Sequence, residues 1–254
     1  MIAAEWRADP SWRRIDLLSD IHLHAGAQKT FEAWRSHMLY GAAEAVLILG
    51  DLFEVWVGDD ARHSAFEQAC TQVLRQASAS KFVAFMQGNR DFLLGADMCR
   101  DAGMQCLPDP SVAVAWGQRM LLTHGDALCL SDLAYQRFRE TVRQPSWQTS
   151  FLQQPLYQRR EQALAMRQAS VQHHTEHPAE ASADADEALC MEWLSAARAD
   201  RLIHGHTHRP DTHALPGGLT RYVLGDWDFE AQPARARILC WTADGLQGLD
   251  LAAV

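Results

Sequence analysis

The sequence predicts an α/β layered fold that carries a helical insertion. Three features predict it. Short apolar runs alternate with helix-patterned stretches through the first hundred residues, each run stops against a polar residue, and a strandless Arg/Gln-rich stretch interrupts the rhythm after residue 130. Residues 15–19 (IDLLS), 45–49, 82–86, 120–123 and 202–204 read as buried strands. Residues 31–40, 65–77 and 91–102 have helical spacing. Residues 220–224, 235–241 and 246–251 are consecutive β-like runs that predict completion of a second sheet at the tail. The whole of 1–254 reads as one domain, with 131–194 as a helical cap inserted within it. Residues 179–188 (AEASADADEA) are polar enough for a mobile loop.

Composition narrows the function. Acidic residues outnumber basic ones 32 to 23, a net charge of −9, which is the wrong balance for a nucleic-acid binder that works by neutralising phosphates. The opening residues lack a basic start followed by an apolar run, and no stretch reaches the ~20 apolar residues of a membrane span. A cytoplasmic protein is therefore expected. The six cysteines are scattered without a C-x-x-C pair and read as reduced, small core residues. The excess is in histidine, with 12 copies, and neutral imidazole is the commonest metal ligand.

Four of these histidines fall in five motifs where the predicted strands end: Asp20-Ile21-His22, Gly50-Asp51, Gly88-Asn89-Arg90-Asp91, His124-Gly125-Asp126 and Gly205-His206-Thr207-His208. Open α/β sheets bind ligands at this edge. Asp20, His22, Asp51, Asn89, His124, His206 and His208 combine imidazole, carboxylate and amide oxygen without thiolate, a donor set that suits Mn²⁺, Fe²⁺ or Zn²⁺. Asp51, alone after a strand-ending glycine, is placed to bridge two ions. The i, i+2 spacing of Asp20 with His22 and of His206 with His208 puts each pair on one face of an extended segment. Any one fragment has a plain structural explanation: Gly50-Asp51 is a common strand-to-turn signal, and a single buried histidine is more often a satisfied core residue than a ligand. All five in this order argue for a shared metal site.

The ordered set D-x-H, G-D, G-N-x-D, H-G-D and G-H-T-H resembles that of the calcineurin-like metallophosphoesterases. The strings GDLFEVWVGDD (50–60), QGNRDFLLG (87–95), THGDALCLSDLAYQRFR (123–139) and IHGHTHRP (203–210) are similar to those of the UDP-2,3-diacylglucosamine hydrolases, over about residues 15–227. The resemblance implies a four-layer αββα sandwich with a two-metal centre. It implies cleavage of the pyrophosphate of UDP-2,3-diacylglucosamine into UMP and 2,3-diacylglucosamine 1-phosphate (lipid X) for lipid A synthesis. One Mn²⁺ would be held by Asp20, His22, Asp51 and His208, and a second by Asp51, Asn89, His124 and His206. Substrate contacts would come from Asn89, Arg90, Asp132, Arg167, Ser170 and His206. His174 and His177 occupy two further cap contact positions, where the family usually has Asn or Thr and Lys, and the Met-Asp-Val segment that follows in relatives is absent. A soluble enzyme touching the cytoplasmic face of the inner membrane transiently, with no nucleic acid and no obligate protein partner, completes the expectation.

Neighbouring residues refine the chemistry. Asp91 and Asp126 adjoin ligand candidates, as supports for them or as caps of helices and turns. Arg90 stands where many metallophosphoesterases carry His. Arginine keeps its proton and cannot act as a general acid, but it forks onto phosphate oxygens. A site without an acid suits a leaving group that departs as an anion, such as a sugar 1-phosphate. In the cap, Trp147, Phe151, Leu152, Leu156 and Tyr157 would pack acyl chains or supply the buried side of amphipathic helices. Arg159, Arg160 and Arg167 would meet anionic groups or solvent. The alternatives are a broad nucleotide phosphodiesterase on the same centre and a metal-free interaction scaffold, whose mark would be missing ligands.

Overall fold

Strands buried along their whole length need cover on both faces, and the central strands here are of that kind. In the computed structural model, which describes residues 4–177 and 183–253 apart from the side chain of His174, they form two stacked sheets. In chain order the strands are β1 (Ala4–Arg7), β2 (Ile15–Leu18), β3 (Ala45–Leu49), β4 (Phe82–Met86), β5 (Gln105–Leu107), β6 (Ser111–Ala115) and β7 (Gln118–Leu122). They continue with β8 (Arg201–His204), β9 (Thr212–Leu215), β10 (Leu219–Val223), β11 (Trp227–Asp228), β12 (Arg235–Thr242) and β13 (Gly245–Asp250). The helices are α1 (Gln28–Tyr40), α2 (Ala65–Ser78), α3 (Ala96–Ala102), α4 (Leu133–Val142), α5 (Pro145–Leu152), α6 (Leu156–Glu176) and α7 (Glu187–Ala197).

The first sheet runs β11-β12-β2-β3-β4-β5, with β13 paired to β12; the second runs β1-β6-β7-β8-β10-β9. β2 to β5 are mutually parallel, as are β7, β8 and β10. Alternation along the strands builds the layers. Leu17, Leu47, Leu49, Ala84 and Met86 point inward and meet Ala113, Met120, Leu122 and Ile203 of the other sheet. Leu18, Val46, Ile48, Val83 and Phe85 point outward onto Trp34 and Met38 of α1, Leu74 of α2 and Met98 of α3. Behind the second sheet, Cys190, Leu194 and Ala197 of α7 cover Val112, Leu121 and Leu202. The layers are therefore α, β, β, α, the architecture the resemblance implied.

Three expectations change. The tail strands divide between the sheets: β10 joins the second, while β12 pairs antiparallel with β2, and β12 and β13 extend the first. The helix expected over 91–102 starts only at Ala96, because Asp91 accepts backbone N–H groups that hold the preceding residues in a loop at the end of β4. Cys99 and Cys106 form a disulfide between α3 and β5, so the expectation of six reduced thiols fails for this pair. Cys70, Cys129, Cys190 and Cys240 are free and buried, as expected of core residues.

The stretch 131–194 has two parts. α4, α5 and α6 follow the loop 123–132 that leaves β7, whereas α7 packs as the outer layer of the second sheet. Residues 179–182 of the expected mobile loop lie outside the described residues.

Candidate metal centre

β2, β3, β4, β7 and β8 end at one edge, and the loops leaving them carry the five motifs. The paired ligands do not converge through the pleat of a strand, as the i, i+2 argument assumed. Asp20, His22, Asp51, His206 and His208 all lie outside strands at φ between 53° and 66°. A left-handed backbone costs a non-glycine residue about 1 kcal/mol or more, and its concentration here marks loops bent to aim side chains at one point. Two glycines allow the approach. A Cβ on Gly88 would overlap Asp51 Oδ1, and one on Gly205 would overlap Asp20 Oδ2.

The side chains meet in two groups that share an aspartate. Asp20, His22 and His208 offer ligand atoms within 4.8 Å of one another, as do Asp20, Asp51 and His124. His208 Nε2 is 3.3 Å from Asp20 Oδ1 and 3.2 Å from His22 Nε2. Asp51 faces both halves: Oδ1 is 3.6 Å from His124 Nε2, and Oδ2 is 4.0 Å from His22 Nε2. Asn89 Oδ1 sits 2.8 Å from both His124 Nε2 and His206 Nδ1. All seven ligand candidates are thus brought to one cluster.

Charge and tautomer suit cations. The His124 ring places Nδ1 2.9 Å from the Leu49 carbonyl, which can only accept, so Nδ1 carries a proton and Nε2 is the nitrogen turned into the cluster. Burial opposes a charge on Asp20, but His208, 3.3 Å away, and the other surrounding imidazoles outweigh it and hold its carboxyl well below the usual range. Burial likewise opposes charge on His124, yet the carboxylates of Asp51, Asp20 and Asp126 push it up to about 9. Burial and the charge of His124 drop His206 to about 4. Asp20 Oδ1 is buried and accepts no aligned hydrogen bond. An incompletely hydrogen-bonded cluster with buried carboxylates at its centre and hard oxygen and imidazole donors around them fits two divalent cations.

Supports surround the ligands. Asp91 accepts backbone N–H groups of Asp51, Leu52, Phe53 and Gly88 at 2.7–3.3 Å, locking the Asp51 and Asn89 loops together. Burial and the Asp51 charge raise its carboxyl to about 7. Asp126 accepts from Tyr135 Oη at 2.5 Å and Arg139 Nε at 2.9 Å, and so roots α4 in the His124 loop. Arg143 of the same helix segment donates to the Gly88 carbonyl at 2.9 Å. Tyr135, Arg139 and Arg143 were not singled out from sequence, although the first two lie within the family string 123–139. Arg90 donates its backbone N–H to Asp51 Oδ1 at 2.8 Å, and its buried Nε has no hydrogen-bond partner.

The cap residues fare differently. Asp132 caps α4, accepting from the Tyr135 N–H at 2.9 Å. Arg167 pairs with Glu54, Arg160 with Glu67 and Arg159 with Asp60, so these cations meet carboxylates of the α/β body rather than solvent. Arg159 is 2% exposed and also donates to the Val57 carbonyl; a Cβ on Gly58 would collide with its guanidinium. Ser170 is exposed on α6, three residues beyond Arg167. His177 ends α6 and stacks on His173, roughly 15 Å along the helix from Arg167, instead of joining the cluster. The side chain of His174 lies outside the described residues. Of the cap aromatics and leucines, Phe151 is buried with Trp147 stacked on it, Leu156 packs against the core, and Leu152 and Tyr157 are exposed.

The calcineurin-like phosphoesterase family model matches residues 13–210. A UDP-2,3-diacylglucosamine hydrolase of Neisseria meningitidis serogroup C (strain 053442) is 41% identical over 213 residues, covering 83% of this chain and 88% of that protein. The chain belongs to the UDP-2,3-diacylglucosamine hydrolase family. Relatives of the same name from Stenotrophomonas maltophilia (strain R551-3) and Hahella chejuensis are 39% and 42% identical. They cover 90% and 83% of this chain, and 97% and 85% of their own. As a member of this family the chain is a metal-dependent hydrolase with a dinuclear metal site.

Proposed function

We propose that the chain hydrolyses the pyrophosphate bond of UDP-2,3-diacylglucosamine, releasing UMP and 2,3-diacylglucosamine 1-phosphate for lipid A synthesis, with two Mn²⁺ as the resident ions. The observation that carries this reading is the seven-residue cluster with Arg90 at its side, in a chain about 40% identical to named relatives over most of its length. Asp20, His22, Asp51 and His208 would hold one ion, and Asp51, Asn89, His124 and His206 the other. When bound, such a pair acidifies water and neutralises phosphoryl oxygens.

The chain's own residues supply the rest. Asp51 and Asp91 fix the spacing of the two halves, and the Leu49 carbonyl fixes the tautomer of His124. Arg90, with its buried Nε unpartnered, forks onto the substrate's phosphoryl oxygens and keeps its proton. The leaving group therefore departs unprotonated, which a sugar 1-phosphate tolerates and an alkoxide does not. Residues 131–176 form the cap over the lipid; Arg167, Ser170 and Asp132 contribute its polar contacts. Exposed Leu133, Leu152, Tyr157, Leu164 and Val171 on this segment support contact with acyl chains and the cytoplasmic face of the inner membrane. No helix among the described residues is long and apolar enough to cross a membrane.

Detergent-dispersed UDP-2,3-diacylglucosamine compared with bis-p-nitrophenyl phosphate, both with Mn²⁺, tests the substrate. Preference for the lipid by at least about 10²-fold in kcat/KM is expected, a difference of about 2.7 kcal/mol; equal turnover would favour a broad phosphodiesterase. Arg90→His should raise turnover of an unactivated alkyl phosphate about tenfold by supplying an acid, and leave p-nitrophenyl phosphate, whose leaving group departs as an anion, within about threefold. Efficient hydrolysis of unactivated alkyl phosphates by the wild type would refute the role given to Arg90.

A further inference from the structure

One carboxylate near the cluster has no part in the chemistry above. Glu54 lies three residues after Asp51, and its side chain is only 14% exposed. Its Oε2 is 3.1 Å from Nδ1 of His22, the nitrogen turned away from the cluster, while His22 Nε2 faces Asp20, Asp51 and His208. Its other oxygen pairs with Arg167 of α6. His22 Nδ1 is buried and makes no aligned hydrogen bond, so Glu54 is within reach of that nitrogen without a straight bond in this state.

We propose that Glu54 is a positioning residue that orients His22 for its metal ion and, through Arg167, ties the cap helix α6 to the metal centre. A carboxylate beside Nδ1 keeps the proton there and leaves the Nε2 lone pair for the ion. His124 receives the same service from the neutral Leu49 carbonyl, so the two histidines are fixed by groups of different charge. Only the fixer of His22 is also bound to the cap. An ion that fixes His22 restricts Glu54, and a restricted Glu54 restricts Arg167. Metal loading and attachment of α6 therefore stabilise each other, as linkage requires. The inference rests on the two-metal reading given above.

Mn²⁺ titration followed by electron paramagnetic resonance tests it, joined to hydrogen exchange of α6. The wild type should bind two ions. Glu54→Gln should weaken one of them about 10-fold and Glu54→Ala about 100-fold, leaving the other within about threefold. Glu54→Asp should recover part of the loss, and it serves as the test if the other variants fail to fold. Arg167→Met should keep both affinities within about threefold. Exchange in α6 should slow on Mn²⁺ addition in the wild type, and not in Glu54→Gln or Arg167→Met. A carboxylate that only holds the cap would change α6 exchange and leave Mn²⁺ affinity alone, so unchanged affinities in Glu54→Gln and Glu54→Ala overturn the inference. Fewer than two ions on the wild type would instead overturn the metal reading itself, and this inference with it.

Discussion

The metal edge and the cap are held together by opposite means. At the edge, side chains from five loops crowd into one cluster, three of the loops bent through left-handed backbone, and each loop continues a strand of the packed core. The cap helix α6 is largely exposed and lacks a coherent apolar stripe. It is fastened by arginines that reach carboxylates about 90 to 115 residues earlier in the chain: Arg159 to Asp60, Arg160 to Glu67 and Arg167 to Glu54. A rigid scaffold holds the reacting groups, and a few polar fasteners hold the part that receives the lipid. Stability and activity should separate along that line.

The largest effect expected is on activity alone. Asp51→Asn keeps an oxygen for the Arg90 N–H but removes the charge shared by both halves of the cluster. Turnover should fall at least about 10³-fold, about 4 kcal/mol in the barrier, while the Tm of the metal-free protein does not fall, since one of several crowded carboxylates is gone. A comparable loss of Tm would mean that the edge is structural as well.

Arg159→Ala should do the reverse. It removes a buried guanidinium that donates to two backbone carbonyls, those of Val57 and Gln154, and pairs with Asp60. A destabilisation of about 2–3 kcal/mol is expected in urea unfolding, with Mn²⁺ affinity held within about twofold. If the variant loses metal affinity in proportion to stability, cap and edge are not separable.

The smallest effect concerns a buried charge far from both regions. Asp16 in β2 takes a fork from Arg14 at 2.7 and 3.1 Å and lies 3.3 Å from His37 Nε2. Burial raises its carboxyl, but His37 and Arg14 together hold it below the ordinary value. Its contribution to stability is present above the unfolded-state carboxylate pKa near ~4 and is lost as pH falls through the lower folded value. Asp16→Asn should flatten the acid limb of the Tm–pH curve by about 2–4 °C, the size of about 1 kcal/mol in a chain this long. An unchanged limb would assign acid sensitivity to the metal edge.

What could be read from the sequence follows the same division. β3 and β4 announce themselves as unbroken apolar runs because both their faces are covered, and the five motifs are visible because each is local to one strand end. The strained backbone that makes D-x-H and H-T-H converge is invisible in a spacing rule, which can describe only regular strands. Asp91 belonged to an expected helix; receiving several backbone N–H groups holds it in a loop instead, and α3 begins later. β1 and β5 are 4 and 3 residues long with mostly exposed side chains, too short to carry an alternating pattern. β12 and β13 are legible as strands, but which sheet they join depends on pairing with β2 more than 200 residues earlier. The cap fasteners are hardest to read, because nothing in a lone arginine says which distant carboxylate it meets. Gly58, which makes room for Arg159, looks like an ordinary turn residue until the fold is seen.

Turnover of UDP-2,3-diacylglucosamine with Mn²⁺ in H₂¹⁸O, followed by mass spectrometry of both products, addresses the two-metal reading most directly. One ¹⁸O in UMP and none in 2,3-diacylglucosamine 1-phosphate is the predicted result, because water then attacks the α-phosphorus and the sugar phosphate leaves. Label in the sugar phosphate, or no turnover at all with both ions bound, would contradict it.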